Sequence, residues 1–213
     1  ETLENNLLLS SYSIPIISSS NYNIGLNWSN ADYSTSTNIY YRLLKNIFQL
    51  KNSFIPHDQE TYFDSNIDLG LGNKKGIELI IRRKRGIILG WLSYHYSKTI
   101  YDFPNLNNGQ SYLASYDKPH ELKAVITTHI WNIDISANWV ISSGGLYTEL
   151  DNMYVEPGTG YNIIINQNQN QMRLPPIHHL DISISKTWEI SPLVLNISFS
   201  IYNIYNKDNY SHK

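Results

Sequence analysis

The 213-residue chain contains no cysteine, which excludes a disulfide framework, a thiolate nucleophile and cysteine-ligated zinc. It also has no run of 18 consecutive apolar residues, so no segment is typical of a transmembrane helix. Charged residues make up only 16% of the chain, against about 25% in soluble globular domains. Polar positions are filled largely by asparagine, serine and 17 tyrosines instead. These absences leave open a protein that crosses a membrane with strands, since the sequence signal of each such strand is weak.

The net charge of −2 creates no global field that would attract nucleic acid. One basic run, Arg82–Arg85, is a candidate nucleic-acid patch by composition. It lies between two strand-like segments, so we interpret it as a turn at a membrane rim, where cations reach lipid headgroups. We therefore expect no nucleic acid among the partners of this chain.

The clearest pattern runs from Lys75 to Thr99 and predicts one β-hairpin. Apolar and polar side chains alternate with a period of two on both arms, as they do on a pleated strand. The arms are about ten residues long, more than the mode of about 5–6 for soluble proteins and enough for a tilted strand to cross a bilayer.

Similar alternation predicts eight strands, paired around short turns near Ala31, Lys84, Trp131 and Ser191. Long polar connections are predicted at 44–74, 100–118 and 142–176, and residues 1–20 are predicted as a further loop. Outer-membrane barrels have this asymmetry, with short periplasmic turns and long extracellular loops. We therefore predict an all-β protein, an antiparallel transmembrane β-barrel. A soluble β-sandwich binding module is the alternative.

The aromatic residues support the membrane interpretation. Four of the five tryptophans lie near the short turns and seven tyrosines near the long connections, as two aromatic girdles at the two membrane interfaces would. The alternative is that aromatic residues are simply common in strands. The predicted girdle residues are Trp28, Trp91, Trp131 and Trp188 on one side and Tyr22, Tyr40, Tyr41, Tyr96, Tyr101, Tyr202 and Tyr205 on the other.

The alternation also divides each strand into an outward apolar side and an inward polar side. Residues predicted on the outer wall are Ile24, Leu26, Leu79, Ile81, Tyr94, Leu122, Ile135, Ile182 and Ile197. Candidate lumen residues, which would contact a plug or a passing ligand, are Ser93, His95, Asp134, Ser136, Asn138, Ser183 and Asn196. Lumen polarity alone does not identify a ligand, so no ligand-binding residue is assigned.

The sequence shows no catalytic, cofactor or metal site. Its seven histidines have no metal-ligand spacing. Ser143-Gly144-Gly145 lacks the strand–turn–helix context of a nucleophile elbow, and Gly70-Leu71-Gly72 lacks the third glycine and the helix of a dinucleotide loop. We therefore predict that the protein is not an enzyme and needs no cofactor or metal.

Three groups of motifs carry a family resemblance. They are GIELIIRRKRGIILGWLSYHYSKT at 76–99, LNNGQSYLASYDKPHELKAV at 106–125 with NWVISSGGLYT at 138–148, and LPPIHHLDISISKTW at 174–188 with NISFSIYNIYNKDNY at 196–210. In this order they resemble the carboxy-terminal half of the barrel of Bacteroidota TonB-dependent receptors. Each motif is short, and their order and spacing over about 21–210 carry the resemblance.

The resemblance implies outer-membrane uptake of a scarce ligand of the siderophore, glycan or peptide class, driven by a TonB complex through a plug. Ligand capture would fall to the long loops Phe54–Leu71, Tyr101–Tyr116 and Leu146–Met172. Expected partners are outer-membrane lipid, the plug, the remainder of the barrel, the TonB complex and, as a further candidate, a surface lipoprotein. The alternative is a structural or adhesive outer-membrane barrel subunit that transports nothing.

Receptors of this kind have about 22 strands around a plug, whereas residues 1–213 supply about eight strands and no recognisable plug segment. We therefore expect residues 1–213 to form one partial outer-membrane β-barrel. It would be either a piece of a larger barrel or one chain of a split barrel.

Overall fold

The computed structural model describes residues 15–50, 67–149, 152–155, 162–165 and 169–210. Apart from one 3-10 turn at Asn107–Gly109, the regular elements in these ranges are all strands. No helix in the described ranges is long and apolar enough to span a membrane. The strands are β1 Ser18–Ser29, β2 Tyr33–Leu50, β3 Ile67–Arg83, β4 Ile88–Asp102, β5 Tyr112–Leu113, β6 His120–Ile130, β7 Ile133–Ser142, β8 Leu146–Tyr147, β9 Asn152–Val155, β10 Asn162–Ile165, β11 Met172–Arg173, β12 Ile177–Ile190 and β13 Leu193–Ile201.

Eight long strands form one antiparallel sheet in the order β1-β2-β3-β4-β6-β7-β12-β13, with β5 added to β4. The short strands β8 and β11 pair with each other, as do β9 and β10, within the connection between β7 and β12. Because neighbouring strands alternate in direction, the four short turns all lie at one rim of the sheet. The predicted strand number and the common rim of the turns near Ala31, Lys84, Trp131 and Ser191 are confirmed.

Local sequence explains two of these turns. The Asn30 side-chain oxygen accepts hydrogen bonds from the backbone N–H groups of Asp32 (2.9 Å) and Tyr33 (2.7 Å), which closes the first hairpin as an Asx-turn. Between β6 and β7, Trp131 and Asn132 take φ values of 51° and 59°. Positive φ at both central residues is the type I′ geometry whose twist matches that of the flanking strands.

The strands are longer on the other side of the sheet than the sequence predicts. β2 continues to Leu50 and β3 begins at Ile67, so both extend into the predicted connection 44–74. Their pairing is interrupted by a bulge at Asn46, where φ is 58°. The predicted loop Phe54–Leu71 thus ends inside β3, and its residues 54–66 lie outside the described ranges, as do 1–14.

The last strand is shorter than predicted, because β13 ends at Ile201 instead of continuing to Tyr205. Asn203 takes a φ of 51°, and its backbone N–H donates to the Asp181 carboxylate at 2.9 Å. The N–H of Ile204 then donates to the Leu180 carbonyl at 2.8 Å. These bonds fold the segment after β13 back onto β12.

The strand register separates two faces. One row of directly opposed residues, Ile24–Ile39–Ile77–Tyr96–His120, fixes the apolar face from β1 to β6, and the row Ala137–Ile182–Ile201 continues it. All nine residues predicted on the outer wall have this parity, and all seven candidate lumen residues have the opposite parity. The predicted division into two faces is confirmed.

The apolar face carries a belt of exposed and half-buried aliphatic side chains. On β3 the belt residues Ile77, Leu79 and Ile81 lie between Lys75 and Arg83, and on β12 Leu180, Ile182 and Ile184 lie between His178 and Lys186. Such an eight-residue interval corresponds to about 27 Å of strand, or about 21 Å of height at a tilt of about 40°. This height is close to the apolar band of about 25 Å in outer-membrane barrels.

The sheet is open among the described residues, because β1 pairs only with β2 and β13 only with β12. All residues of both edge strands are exposed. The buried core is small and lies away from the belt, at the rim of the long connections, where Phe103, Leu106 and Tyr112 pack with Ile47 and Tyr101.

Candidate functional site

The connection between β4 and β6 folds over the polar face at the long-loop rim. Phe103 is 3% exposed, and its ring contacts Tyr101 edge-on with centroids 6.0 Å apart. A Cβ atom at Gly70 would lie 2.6 Å from the Phe103 ring, and one at Gly72 would lie 2.9 Å from the Tyr101 ring. Both glycines therefore leave room for aromatic rings that lie against the strand, which explains the Gly70-Leu71-Gly72 sequence without a nucleotide site.

Asp68 attaches this connection to β3. Its carboxylate is 5% exposed and accepts hydrogen bonds from the Asn105 backbone N–H (3.0 Å) and from the Asn105 side-chain amide (2.8 Å). Burial raises the pKa of Tyr112 to about 12, with a further contribution from the nearby Asp68 charge. Tyr112 therefore remains protonated at ordinary pH and donates its hydroxyl hydrogen to the Gln49 side chain.

Asp117 joins the second and third long connections. Its carboxylate is 2% exposed, accepts the Thr99 backbone N–H at 2.8 Å and pairs with the Arg173 guanidinium at 3.0 Å. Arg173 also donates to the backbone carbonyls of Asp117 (2.6 Å) and Gly144 (2.8 Å). Because a buried carboxylate is costly unless it is paired, this cluster fixes the position of both connections at the rim.

A second set of contacts between the same connections surrounds Asn170. Its side-chain amide donates to the Leu113 carbonyl at 2.8 Å, and its backbone N–H donates to the Thr148 hydroxyl at 3.0 Å. The Gln169 N–H donates to the Asn107 side chain at 2.9 Å. The rim therefore carries an ordered surface in which both connections take part.

This surface contains a recess of about 270 Å³, which we call the rim recess. Its aromatic walls come from Tyr101, Phe103, Tyr112 and Tyr116, and the Tyr101 and Tyr116 hydroxyls lie 2.6 Å apart. Amide and hydroxyl groups of Gln49, Asn170 and Ser115 complete the wall, and no charged side chain lines it. Stacking faces beside neutral hydrogen-bonding groups suit a ligand with both an apolar surface and polar groups.

A second recess of about 340 Å³, the wall recess, lies on the polar face of β1–β4. The Tyr40 hydroxyl and His95 Nε2 are 2.9 Å apart, and Glu78 Oε1 lies 3.9 Å from the same nitrogen. Lys74 Nζ lies 5.9 Å from the centre of the Tyr40 ring, which is within the range of a cation–π contact. Arg42 adds a second cation beside Asn21.

The candidate lumen residues do not converge on one site. Only His95 lines the wall recess. Asp134 lies near the short-turn rim, where its carboxylate is 2.7 Å from His129 Nδ1. The Ser183 hydroxyl accepts a hydrogen bond from the Ser200 hydroxyl at 2.9 Å. The Asn196 side-chain amide donates to the Thr187 hydroxyl at 2.8 Å. Ser93, Ser136 and Asn138 are opposite Lys123, Thr127 and Val125, respectively, at other heights. Together these side chains form a dispersed polar wall.

Three of the predicted girdle residues face the other way. Tyr40 and Tyr101 lie on the polar face, in the wall recess and the rim recess, and Trp91 shares that face because it is opposite Arg82 and Val125. Closeness to a rim along the chain does not decide the face, whereas strand parity does. Tyr22, Tyr41 and Tyr96 on one side, and Trp28 and Trp188 on the other, occupy the apolar face as predicted.

The contacts at the rim have no signature in the sequence pattern. Asp117, Arg173, Asp68 and Asn105 lie in segments where no periodicity marks them. Their sequence neighbours also do not indicate which residues they contact. No group of three or more His, Cys, Asp or Glu side chains within the described ranges is arranged to hold a metal ion.

The comparisons agree with this architecture. Residues 17–206 match the family described as TonB dependent receptor-like, beta-barrel. The structure is similar to the FrpB iron transporter of Neisseria meningitidis (F3-3 variant), with a TM-score of 0.62 and 14% identity over 93% of this chain. The chain spans 28% of the length of that protein. No match was found among curated proteins.

At 14% sequence identity, the structural similarity to the transporter shows a common fold and nothing finer. That fold agrees with the antiparallel sheet described above. The family match covers nearly the whole chain, including all eight long strands. The chain therefore belongs to the TonB-dependent receptor β-barrel family and is a protein of the bacterial outer membrane.

Proposed function

We propose that this chain forms part of the barrel wall of a TonB-dependent receptor that takes up a scarce ligand across the outer membrane. The observation that carries the proposal is the combination of an exposed aliphatic belt on one face with a polar wall and ordered loops on the other. The family is one of receptors and transporters, not of enzymes. The neighbouring structure is an iron transporter, which agrees with uptake without identifying the ligand of this chain.

The rim recess is the proposed capture site, with a ligand of the siderophore, glycan or peptide class. Its four aromatic side chains and neutral polar groups offer stacking and hydrogen bonding at the extracellular rim. The polar wall below it, including Ser93, His95, Asp134, Ser136, Asn138, Ser183 and Asn196, would line the path and contact the plug. We also propose that the receptor is of the Bacteroidota type, because the sequence motifs occur in the order that resembles those receptors.

Residues 1–213 would form one sector of a larger barrel in this proposal. Two observations support this: the sheet is open among the described residues, and the chain covers 28% of the length of the similar transporter. Further strands would meet β1 and β13, because lipid cannot satisfy unpaired backbone groups at a strand edge. The remaining proposed partners are the plug, the TonB complex, membrane lipid and a surface lipoprotein.

An uptake experiment tests the proposal. Cells that make the intact protein, cells that lack it and cells that lack TonB are grown with single ferric chelates, glycans or peptides as the limiting nutrient. We expect growth on one class of nutrient to require both the protein and TonB. Tyr116→Ser in the rim recess should slow that growth, whereas Tyr202→Ser, at an exposed position outside the recess, should not. Growth on every nutrient class without the protein would contradict the proposal.

A further inference from the structure

The outer face carries a groove that the proposed uptake function does not use. It has a volume of about 340 Å³ and lies over β3, β4 and β6, close to the short-turn rim. Its sides are formed by Ile81, Ile88, Leu92 and Ile126, and Arg83 is the one charged residue that lines it. The groove is thus an apolar depression in the lipid-facing wall with a cation at one end.

Two small residues create the depression. Gly90 is directly opposite both Arg83 and Ile126, and Ala124 is opposite Leu92 in the next outward row. A Cβ atom at Gly90 would lie 2.1 Å from the Val125 carbonyl oxygen, and φ at this glycine is +154°, so a larger residue does not fit. The outward space beside the Arg83 side chain therefore stays empty of protein atoms.

The groove ends at the most basic segment of the chain. Arg82 to Arg85 contains four consecutive cations, of which Arg82 faces the lumen side. Arg83 Nε donates to the Arg85 carbonyl at 3.2 Å, and Lys84 Nζ donates to the Ser29 hydroxyl at 2.8 Å, so both side chains are held within the turn region. None of the ion pairs formed within the described ranges involves a cation of this turn.

The height of this basic turn places it at lipid headgroups. Arg83 ends the belt on β3 at the side of the short turns, which face the periplasm in outer-membrane barrels. The inner leaflet there consists of phospholipids. Cations in this position attract an anionic headgroup, while the adjoining groove has room for an apolar chain.

We propose that this groove is a binding site for one anionic phospholipid of the periplasmic leaflet. Its phosphate would contact Arg83 and Arg85, and one acyl chain would lie in the depression over Gly90 and Ala124. Charge complementarity selects this occupant over a zwitterionic phospholipid, because no carboxylate of the described residues forms an ion pair with the cations of the turn.

Native mass spectrometry of the intact protein, purified as the cell makes it, tests the site. The probes are phosphatidylglycerol and phosphatidylethanolamine with identical acyl chains, with inorganic phosphate as a separate arm. We expect one phosphatidylglycerol to be retained more strongly than phosphatidylethanolamine and inorganic phosphate alone not to be retained. Arg83→Gln with Arg85→Gln should weaken phosphatidylglycerol binding about 30-fold, given about 1 kcal/mol for each cation.

Two further variants separate the groove from general surface charge. Ala124→Phe should fill the depression and lower the retention of both lipids. Lys186→Gln removes another outward cation near the same rim and should leave phosphatidylglycerol binding unchanged. The ammonium group of Lys186 lies 5.2 Å from the centre of the Trp188 ring, away from the groove. Equal retention of the two lipids by the unaltered protein, or an equal loss in the Lys186 variant, would overturn the proposal. Retention of phosphate alone, or no effect of the double arginine variant, would also overturn it.

Discussion

At the scale of single residues, the inner face is organised by contacts between glycines and aromatic rings. Gly76 is an example, because a Cβ atom there would lie 2.5 Å from the Tyr40 hydroxyl and 2.4 Å from the Tyr96 carbonyl oxygen. Tyr40 is the residue that meets His95 in the wall recess. A glycine on β3 thus determines where a polar group of the wall recess lies.

Gly76→Ala should therefore destabilise the protein and displace Tyr40. We expect a loss of about 1–3 kcal/mol in the free energy of unfolding, as for other overpacked sites. Urea unfolding in lipid vesicles, followed by tryptophan fluorescence, measures this change. Gly25→Ala is the matched control, since its Cβ would meet no atom closer than 3.7 Å, and it should be neutral or stabilise by up to about 1 kcal/mol. Equal effects of the two substitutions would contradict this explanation.

Arg173 provides a second prediction at this scale. Arg173→Met leaves the Asp117 carboxylate buried without its cation, and we expect a loss of about 2–4 kcal/mol in the free energy of unfolding. Lys118→Met, at an exposed neighbouring position, should change stability by about 0.5 kcal/mol or less. The same urea titration measures both variants. A stability of the Arg173 variant equal to that of the Lys118 variant would show that the cluster does not hold the connections.

At the scale of elements, each long strand combines an apolar side with a polar side. β12 shows this most regularly, because Ile182 and Ile184 alternate with Ser183 and Ser185 over the middle of the belt. The belt is bounded by His178 and Lys186 on this strand and by Lys75 and Arg83 on β3. The element thus matches the bilayer in both length and polarity.

A charge at the centre of β12 should distinguish the two sides. Ile182→Arg places a guanidinium in the middle of the belt and should cost about 2–4 kcal/mol of unfolding free energy. Ser183→Arg, on the polar face one residue away, should cost far less, because water or polar groups of the plug would solvate the guanidinium there. The comparison uses unfolding in lipid vesicles. A larger loss for the Ser183 variant would reverse the assignment of the faces.

The sequence predicted the elements well where the bilayer imposes a strict period of two. In β4, β6, β7 and β12 the faces follow directly from the alternation, and the short turns follow from residues such as Asn30. The prediction failed above the belt, where β2 continues through Ile47–Leu50 without alternation and β3 already begins at Ile67. In β2 the bulge at Asn46 shifts the register, so the period of two is lost there. In β3, Gly70 and Gly72 weaken the strand signal, because glycine is uncommon in strand interiors. The Asp117–Arg173 pair was unpredictable for a different reason, since its 56-residue separation depends on how two connections meet.

At the scale of the whole molecule, the sheet has two open edges. β1 and β13 each have one strand neighbour among the described residues. Small closed barrels of about eight strands exist, with interiors that side chains just fill. Most inner positions of the two edge strands, β1 and β13, are Ser or Asn, and these small side chains fill little of such an interior.

Cysteine pairs test whether the two edges meet, and the chain has no cysteine of its own to interfere. Asn23→Cys is combined in turn with Asn196→Cys, Ser198→Cys and Ser200→Cys, and a short thiol crosslinker is added to the protein in membranes. We expect no crosslink within these pairs. Ser183→Cys with Ser200→Cys is the positive control, because these residues are directly opposed with hydroxyls 2.9 Å apart. A crosslink between Asn23→Cys and any of the three positions would show a closed eight-stranded barrel.

The most direct test of the account is a spin-label scan of β12 in a lipid bilayer. Single cysteines at Ile182, Ser183, Ile184 and Ser185 are labelled, and their accessibility to oxygen, which concentrates in lipid, is compared with that to a water-soluble nickel chelate. We expect oxygen to reach the labels at 182 and 184 more readily than those at 183 and 185. At 183 and 185 either the nickel chelate has the better access or the plug excludes both reagents. Equal accessibility along the four positions, or the opposite alternation, would contradict the claim that this chain is a wall of an outer-membrane barrel.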